Sequence, residues 1–313
     1  MLTPELHSDA QSIVDPKQFI KFLKGNPDHS EKIDMPMSYV NSLANKIKTL
    51  SPIKSLSKVS YISGDRLDVV IDSENSEDSG WVTDEVIKFE DISSVSKVSI
   101  HLHQLFTKPR VTHSLLEDES SSVEDFIQEK ITTHMAALEN KAFLYGDGLS
   151  QPKGILSYDI STEGPKNRSI EGVIGGSPGK IKTEKLFELM EKLNSKYLGG
   201  ASWIMSRNVA SYIRTLKDET NGKFLWQNSI AHGIPDTLLG YPVVICDDMS
   251  KITEAKAVVL FANLYEGYHI AEKPNISILK DPYNAKPFIE FYATKRVGGD
   301  IVNFNAIKAL VLK

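Results

Sequence analysis

The chain has 313 residues, of which 41% are hydrophobic and 25% charged, with a formal net charge of −5 at pH 7. This length can bury one large core or two modest ones, and the composition excludes a disordered chain. The negative charge argues against a dedicated nucleic-acid-binding surface. The single cysteine, Cys246, excludes an internal disulfide, and no apolar run is long enough to span a bilayer, so the reducing cytosol is the expected compartment.

The chain opens with an arm and then a ribbon. Residues 1–55 hold short helical patterns at Phe19–Leu23 and Tyr39–Leu50, broken by Gly and Pro, which predict an N-terminal arm without a core of its own. Residues 56–100 alternate apolar and polar side chains around an acidic, serine-rich tip at 72–80, which predicts a β-ribbon. A two-stranded ribbon is marginal alone in water, so we expect its apolar side chains to need a partner, such as another copy. These side chains are Tyr61, Val69, Ile71 and Trp81.

The clearest helix is predicted over residues 122–145, where apolar side chains recur every three or four positions after a capping box that begins at Ser121. At about 1.5 Å per residue this helix is roughly 36 Å long and serves as a structural spine. Gly146 is predicted to be its left-handed stop, with Asp147 and Gly148 forming the turn that follows. Dinucleotide binding needs a strand before the glycines and a helix after them, so this order disfavours it.

The second half predicts a mixed α/β unit over residues 176–290, followed by closing strands over 291–313. Helical patterns occupy 183–200 and 207–219, the first of which ends at two glycines. A short buried strand is predicted at 202–206. Further strand patterns occur at Tyr241–Cys246, Ala257–Phe261, Tyr268–Ala271, Ile276–Leu279 and Phe288–Lys295.

No local pattern predicts a catalytic, cofactor or metal site. Residues 175–179 fit the Gly-x-Ser-x-Gly elbow of a hydrolase, but Pro178, which follows Ser177, has no N–H for an oxyanion hole. His101 and His103 would point to one side of a strand, yet no third ligand is near in sequence. We interpret the other candidates as solvated turns, a helix start and a small buried hydrophobe. They are Asp247, Asp248, Glu117-Asp118-Glu119 and Cys246.

The stretch KPRVTHSLLEDESSSVEDFIQEKITTHMAALENKAFLYGDGLSQPKGIL, residues 108–156, closely resembles the major capsid proteins of tailed phages with the HK-97-type shell fold. Five further blocks resemble the same family in the family's order, so the resemblance extends from about Gln18 to the end of the chain. These blocks lie at 51–59, 80–85, 203–226, 234–249 and 296–310.

The resemblance implies an α+β fold of the HK-97-like class. It assigns residues 1–55 to an N-terminal arm and 56–100 to the extended ribbon, or E-loop, both of which reach over neighbouring subunits. A peripheral domain at 101–175 would hold the spine helix, an axial domain would span 176–290, and the strands of 291–313 would return to the peripheral domain. Gly146, Asp147 and Gly148 become a structural turn. Expected inter-subunit contacts are Tyr61, Arg66, Trp81 and Glu85.

The function implied is that of a major capsid protein, which is not an enzyme and uses no cofactor. Its copies would form pentamers and hexamers of an icosahedral head, assembled in the bacterial host cytoplasm around non-specifically held double-stranded DNA. Other implied partners are portal and head-completion proteins, and no membrane is involved. A gene-transfer-agent capsid would share every block; an encapsulin-type shell and a hydrolase built on Ser177 remain further alternatives.

Relatives in this family also differ in how their shells are held together. Some join an E-loop lysine to an asparagine of a neighbour as an isopeptide. Asn303 and Asn305 could be acceptors by position, but the tip of the ribbon contains no lysine. We therefore expect a shell without covalent crosslinks.

Overall fold

The computed structural model describes residues 33–34, 37–72, 95–112, 114–115, 122–164, 167–217, 222–228 and 235–313. The chain divides into two compact units. The first comprises Met1–Ile47, Phe106–Met135 and Pro274–Lys295, and the second comprises Lys48–Leu105, Ala136–Lys273 and Arg296–Lys313. Across the described ranges, no helix combines the length and hydrophobicity needed to cross a membrane.

Seven α-helices occur in the described ranges. They are α1 (Met37–Leu50), α2 (Pro52–Leu56), α3 (Ser122–Tyr145), α4 (Thr183–Glu191), α5 (Ser195–Leu198), α6 (Arg207–Ile213) and α7 (Leu264–Gly267).

The strands of the described ranges are numbered in chain order. They are β1 (Ile33–Asp34), β2 (Lys58–Tyr61), β3 (Arg66–Asp72), β4 (Val95–His101), β5 (His103–Thr107), β6 (Arg110–Thr112), β7 (Ile160–Ser161), β8 (Ile170–Gly176), β9 (Ser202–Met205), β10 (Trp226–Gln227), β11 (Thr237–Leu238), β12 (Tyr241–Ile245), β13 (Ala257–Ala262), β14 (Tyr268–Glu272), β15 (Ser277–Asp281), β16 (Phe288–Ile301) and β17 (Ile307–Leu312).

The first unit is built on antiparallel strands. β15 pairs with β1 on one side and with the first half of β16 on the other, and β6 also pairs with β16. Along β16, Phe291 is fully buried whereas Phe288 is 39% exposed, as the alternation of a half-buried strand requires.

The second unit contains an eight-stranded sheet in the order β10-β11-β12-β9-β13-β17-β8-β7. Its central strands β9, β13 and β17 are buried at every position, because both sheet faces are covered. Phe261 packs on one face against Trp203, with ring centroids 4.4 Å apart, while Leu260 joins the core on the other face with Phe143 and Tyr268. In the same unit β14 pairs with β2 in parallel and with the end of β16 in antiparallel orientation.

The spine helix α3 has the bounds expected from its periodicity, while its capping box at Ser121 lies outside the described residues. Two other helices are shorter than expected. The pattern at 183–200 splits into α4 and α5, because Asn194 leaves the helical conformation and caps α5 by accepting a hydrogen bond from the Lys196 N–H. Helix α6 ends at Ile213, after which Lys217 forms a β-bridge with Phe224.

The end of the chain agrees with the sequence-based assignment only in part. We assigned 291–313 to strands that return to the peripheral domain at 101–175, and β16 does pair with β6 of that segment. β17, however, lies between β8, which begins at Ile170, and β13 of the 176–290 segment. All six of its residues are buried and five of them are apolar, which fits this central position. The last strand therefore shares a core with strands of the 176–290 segment.

Candidate functional site

The ribbon consists of β3 and β4, which pair from Arg66 opposite His101 to Asp72 opposite Val95. Its base packs within its own chain, since Ile100 is 1% exposed and lies in a cluster with Ala271. The apolar side chains at this base, including Val69 and Ile71, therefore find the expected partner within their own chain and not in another copy. Val70, by contrast, is 69% exposed, and the acidic tip lies outside the described residues.

Two of the four predicted contact residues lie in the described part of the chain. Tyr61 ends β2 and is 60% exposed. Arg66 begins β3 with its Nε 3.1 Å from the Asp68 carboxylate, and the two side chains are 53% and 30% exposed. Trp81 and Glu85 lie outside the described residues. An inter-subunit role for these four residues therefore stays a prediction.

The root of the ribbon carries an ionic contact that no local sequence pattern indicates. Asp65 accepts charged hydrogen bonds from Lys273 at 2.7 Å and from Arg296 at 2.6 Å. The hydrogen bond from Lys273, followed by the charge of Arg296, lowers the pKa of Asp65. These cations lie on the neighbouring β14–β16 segment and link it to the turn before β3 through a contact that is largely open to solvent.

A buried ion cluster joins the segment before the ribbon to the spine helix. Lys54 of α2 donates to Glu139 of α3 at 3.1 Å and to Glu272 of β14 at 2.6 Å, and the side chains are at most 1% exposed. Beside it, the Asn140 carboxamide accepts hydrogen bonds from the Ser51 hydroxyl and the Ile53 N–H. Since buried charges are costly unless paired, this cluster fixes one relative position of α2, α3 and β14.

The loop after α3 is a rigid turn. The Asp147 carboxylate accepts hydrogen bonds from the N–H groups of Leu149, Ser150 and Gln151 and from the Ser150 hydroxyl. These donors, the Leu149 N–H foremost, lower the pKa of Asp147 to about 2. Gly148 has a positive φ of 76°, so the residue of this turn with the left-handed backbone conformation is Gly148.

Gly146 has a different role from the left-handed stop that we predicted. Its φ is not positive, and its N–H donates to the Ala142 carbonyl at 2.8 Å, as in a continuing helix. A Cβ at this position would lie 1.9 Å from the Pro152 carbonyl oxygen. Glycine is required here by close backbone packing.

A cleft of about 660 Å³ lies beside the ribbon in the second unit, lined by Lys58, Val70, Lys196, Tyr265 and other residues. His269 also lines this cleft, and its Nε2 lies 2.8 Å from the Ser60 hydroxyl. Burial, and then the charge of Lys58, lower the pKa of His269, so this ring is neutral at pH 7. The lining of the cleft thus combines two lysines and Glu266 with two exposed apolar side chains, Val70 and Tyr265.

The remaining sequence candidates do not form a reactive site. His101 ends β4 and His103 begins β5, and in the described part of the chain no cluster of three metal-binding side chains occurs. Ser177 lies in a turn and its carbonyl accepts from the Lys180 N–H. Cys246 is buried, which raises the pKa of its thiol, and Asp247 accepts from the Arg207 N–H.

Comparison with known proteins points to one family. The model of the phage capsid family matches residues 36–312. The capsid of an empty GTA (gene transfer agent) particle is 31% identical in sequence, with a TM-score of 0.70 over 92% of this chain and 95% of that one. The capsid of a native GTA particle is 28% identical, with a TM-score of 0.71 over 100% of this chain and 99% of that one. No curated protein matches the chain.

More distant structures share the fold alone. The chain from Gordonia phage Cozz is 14% identical, with a TM-score of 0.57 over 100% of this chain and 98% of that one. Together these matches confirm the predicted α+β class and the HK-97-like capsid fold.

Proposed function

The chain belongs to the phage capsid family and is a major capsid protein, and we propose that its copies assemble into pentamers and hexamers of a closed shell around double-stranded DNA. The observation that carries this proposal is the match to a GTA capsid at 31% identity over 92% of the chain. The family implies a structural role and not catalysis, and the turn around Ser177 suits that role. Such a shell could belong to an infectious phage or to a gene transfer agent.

The ribbon supports assembly through its charge. Residues 72–85 contain six carboxylates, and no lysine or arginine occurs between 67 and 87. Such a segment repels its own copies and favours a cationic surface on a neighbour. We expect the ribbon of one copy, with Trp81 and Glu85 near its tip, to lie on the first unit of the next.

The first unit carries a surface of matching character. Lys108 Nζ lies 5.8 and 5.2 Å from the ring centres of Phe106 and Tyr292, and the exposed Arg110 lies beside it. Both cations contact the Glu290 carboxylate, which leaves one net positive charge on this surface. Phe106 is 52% exposed, and its ring centre lies 5.7 Å from that of Tyr292. Cations interleaved with aromatic rings suit both the carboxylates and the Trp81 ring of an approaching ribbon.

Negative-stain microscopy of the purified full-length protein, with light scattering across several salt conditions, tests this function. Closed particles or capsomers are expected, and a single monomeric species at high concentration would contradict the proposal. DNA, portal and head-completion proteins are the further expected partners in the host cytoplasm. Since the chain is acidic, binding to DNA should be weak, independent of sequence and steeply reduced by salt.

A further inference from the structure

The ribbon has one strand edge that faces open space. Among the described residues, β3 pairs with β4 alone. The cleft beside the ribbon is lined by three consecutive residues of β3, Val69, Val70 and Ile71, and by no described residue of β4. The cleft therefore adjoins the edge of β3 that faces away from β4. Such an edge presents backbone N–H and C=O groups to which a further strand can bind.

The hydrogen-bond pattern of the hairpin identifies the residues that present these groups. The Leu102 N–H donates to the Asp65 carbonyl at 3.0 Å, so these two residues form a hydrogen-bonded pair next to the first pair of the ladder. Hydrogen-bonded and non-hydrogen-bonded pairs alternate along antiparallel strands. Val69, four residues after Asp65, is therefore bonded to β4. The residues of β3 whose backbone groups point away from β4 are Arg66, Asp68, Val70 and Asp72.

The sequence of β3, RLDVVID, is complementary to itself in antiparallel orientation. When Val69 of one copy lies opposite Val69 of a second copy, Arg66 of each lies opposite Asp72 of the other. This register pairs outward-pointing residues with one another, as a hydrogen-bonded ladder requires, and sets opposite charges against each other twice. β4 lacks this property, because the same arrangement sets its Lys97 opposite Ser99.

We propose that the β3 edges of two copies pair in antiparallel orientation about a two-fold axis at Val69. The two ribbons then form one four-stranded sheet, which is more stable in water than a two-stranded ribbon. The Val70 side chains, each 69% exposed in the single chain, become diagonal neighbours on this sheet. Arg66 is 53% exposed, and its guanidinium has donors beyond the Nε that contacts Asp68.

This inference rests on the proposed function, because a shell supplies the second copy. The contact is isologous, so one strand edge of the chain serves as both donor and recipient surface.

Cysteine trapping in the full chain tests the pairing and its register. In the proposed register the two Val69 residues form a non-hydrogen-bonded pair, whose Cα atoms lie about 4.5 Å apart, within the range of a disulfide. Oxidised Val69→Cys should therefore give a dimer on a non-reducing gel, at several times the yield of Asp68→Cys or Val70→Cys. The natural Cys246 is buried. No dimer from Val69→Cys, or a higher yield at either neighbouring position, would overturn the proposal.

Charge reversal tests the Arg66–Asp72 pairs. In the Val69→Cys background, Arg66→Asp should lower the dimer yield roughly fivefold or more, because it sets like charges opposite each other twice. Addition of Asp72→Arg should restore the yield. Lys97→Asp is the matched control, since Lys97 is 54% exposed on β4, outside the proposed pairs. An equal loss in Lys97→Asp, or no recovery in the double reversal, would contradict the register.

Microscopy of the same preparations separates this contact from the shell function. If shells form but Val69→Cys gives no crosslink, the contact is wrong and the shell function stands. If the crosslinked dimer forms from a chain that makes no shells, the contact stands and the shell function is wrong. If neither forms, both are wrong.

Discussion

The ammonium group of Lys54 lies 2.6 Å from the carboxylate of Glu272, although 218 residues separate them and both side chains are about 1% exposed. With Glu139 as its second partner, this lysine links three elements that meet where the chain enters the ribbon. An ion cluster in this position favours one geometry at the base of the ribbon, because any displacement would separate buried charges.

Replacement of Lys54 by methionine should therefore destabilise the fold. The variant leaves two carboxylates buried without their lysine, and breaking a buried pair typically costs about 3–5 kcal/mol. Urea unfolding of the full chain measures the change in the free energy of unfolding. Lys58→Met is the control, because Lys58 is exposed and should give less than about 0.5 kcal/mol. Equal effects of the two substitutions would contradict the role assigned to Lys54.

Substitution of Gly146 by alanine should also destabilise the fold, here through a steric clash. The added methyl would lie 1.9 Å from the Pro152 oxygen and 2.6 Å from the Ala142 oxygen, so the backbone must shift. We expect a loss of about 1–3 kcal/mol in thermal unfolding. Gly199→Ala is the matched control, because a methyl added there would meet nothing within 4 Å and the φ of Gly199 is not positive. If Gly146→Ala did not lower the unfolding temperature, the loop would be able to move away from the helix end.

Gly146 and Lys54 show why part of this structure could not be read from the sequence. A glycine after a helix fits both a left-handed stop and a close backbone approach, and only the path of Pro152 distinguishes them. The partners of Lys54 are 85 and 218 residues away, so no local pattern indicates them. The spine helix, in contrast, is indicated by the helical period of its own apolar residues, and most strands are indicated by short apolar runs. For this reason the bounds predicted for these elements agree closely with the structure.

The ribbon illustrates the same limit in another way. Alternation predicted two strands, and β3 and β4 are present, but alternation does not say what covers their apolar face. Ala271 of β14 covers Ile100 within the same chain. The capsid resemblance rests on many residues in order along the chain, so it identified the fold where single motifs could not.

The Asp147 turn should resist acid. Its folded pKa of about 2 lies below the ordinary 3.8, so the ionised carboxylate contributes stability that is complete above pH 3.8 and is lost as the pH falls toward 2. Asp147→Asn should be less stable than the unaltered chain at pH 5–7, and the difference should vanish near pH 2. Thermal unfolding of both proteins across this range measures it. A difference that does not depend on pH would mean that the charge is irrelevant to the turn.

Shortening the ribbon should separate folding from assembly. Asp72 and Val95 lie opposite each other, so a two-residue Asn-Gly turn can replace residues 73–94 and close the hairpin. This variant keeps the buried base at Ile100 and should unfold at the same temperature, but it should not form shells, because the acidic segment is gone. Light scattering and microscopy give the result. If the shortened chain formed normal shells, the ribbon tip would not be part of the assembly contact.

Assembled particles should contain no covalent links between subunits. An isopeptide forms when a neutral lysine amine attacks an asparagine carboxamide and releases ammonia, so it requires a lysine held uncharged near the acceptor. No lysine occurs between 67 and 87, and the carboxylates of that segment would keep an approaching ammonium protonated. The acceptor is also engaged, since the Asn303 amide donates to the Tyr197 hydroxyl at 2.7 Å while its oxygen accepts from the Asn305 N–H at 2.9 Å. Particles boiled in detergent should therefore run as one band near 34.8 kDa. A ladder of higher bands would show that a lysine outside this segment, such as Lys88, reaches a neighbour in an apolar setting that suppresses its charge.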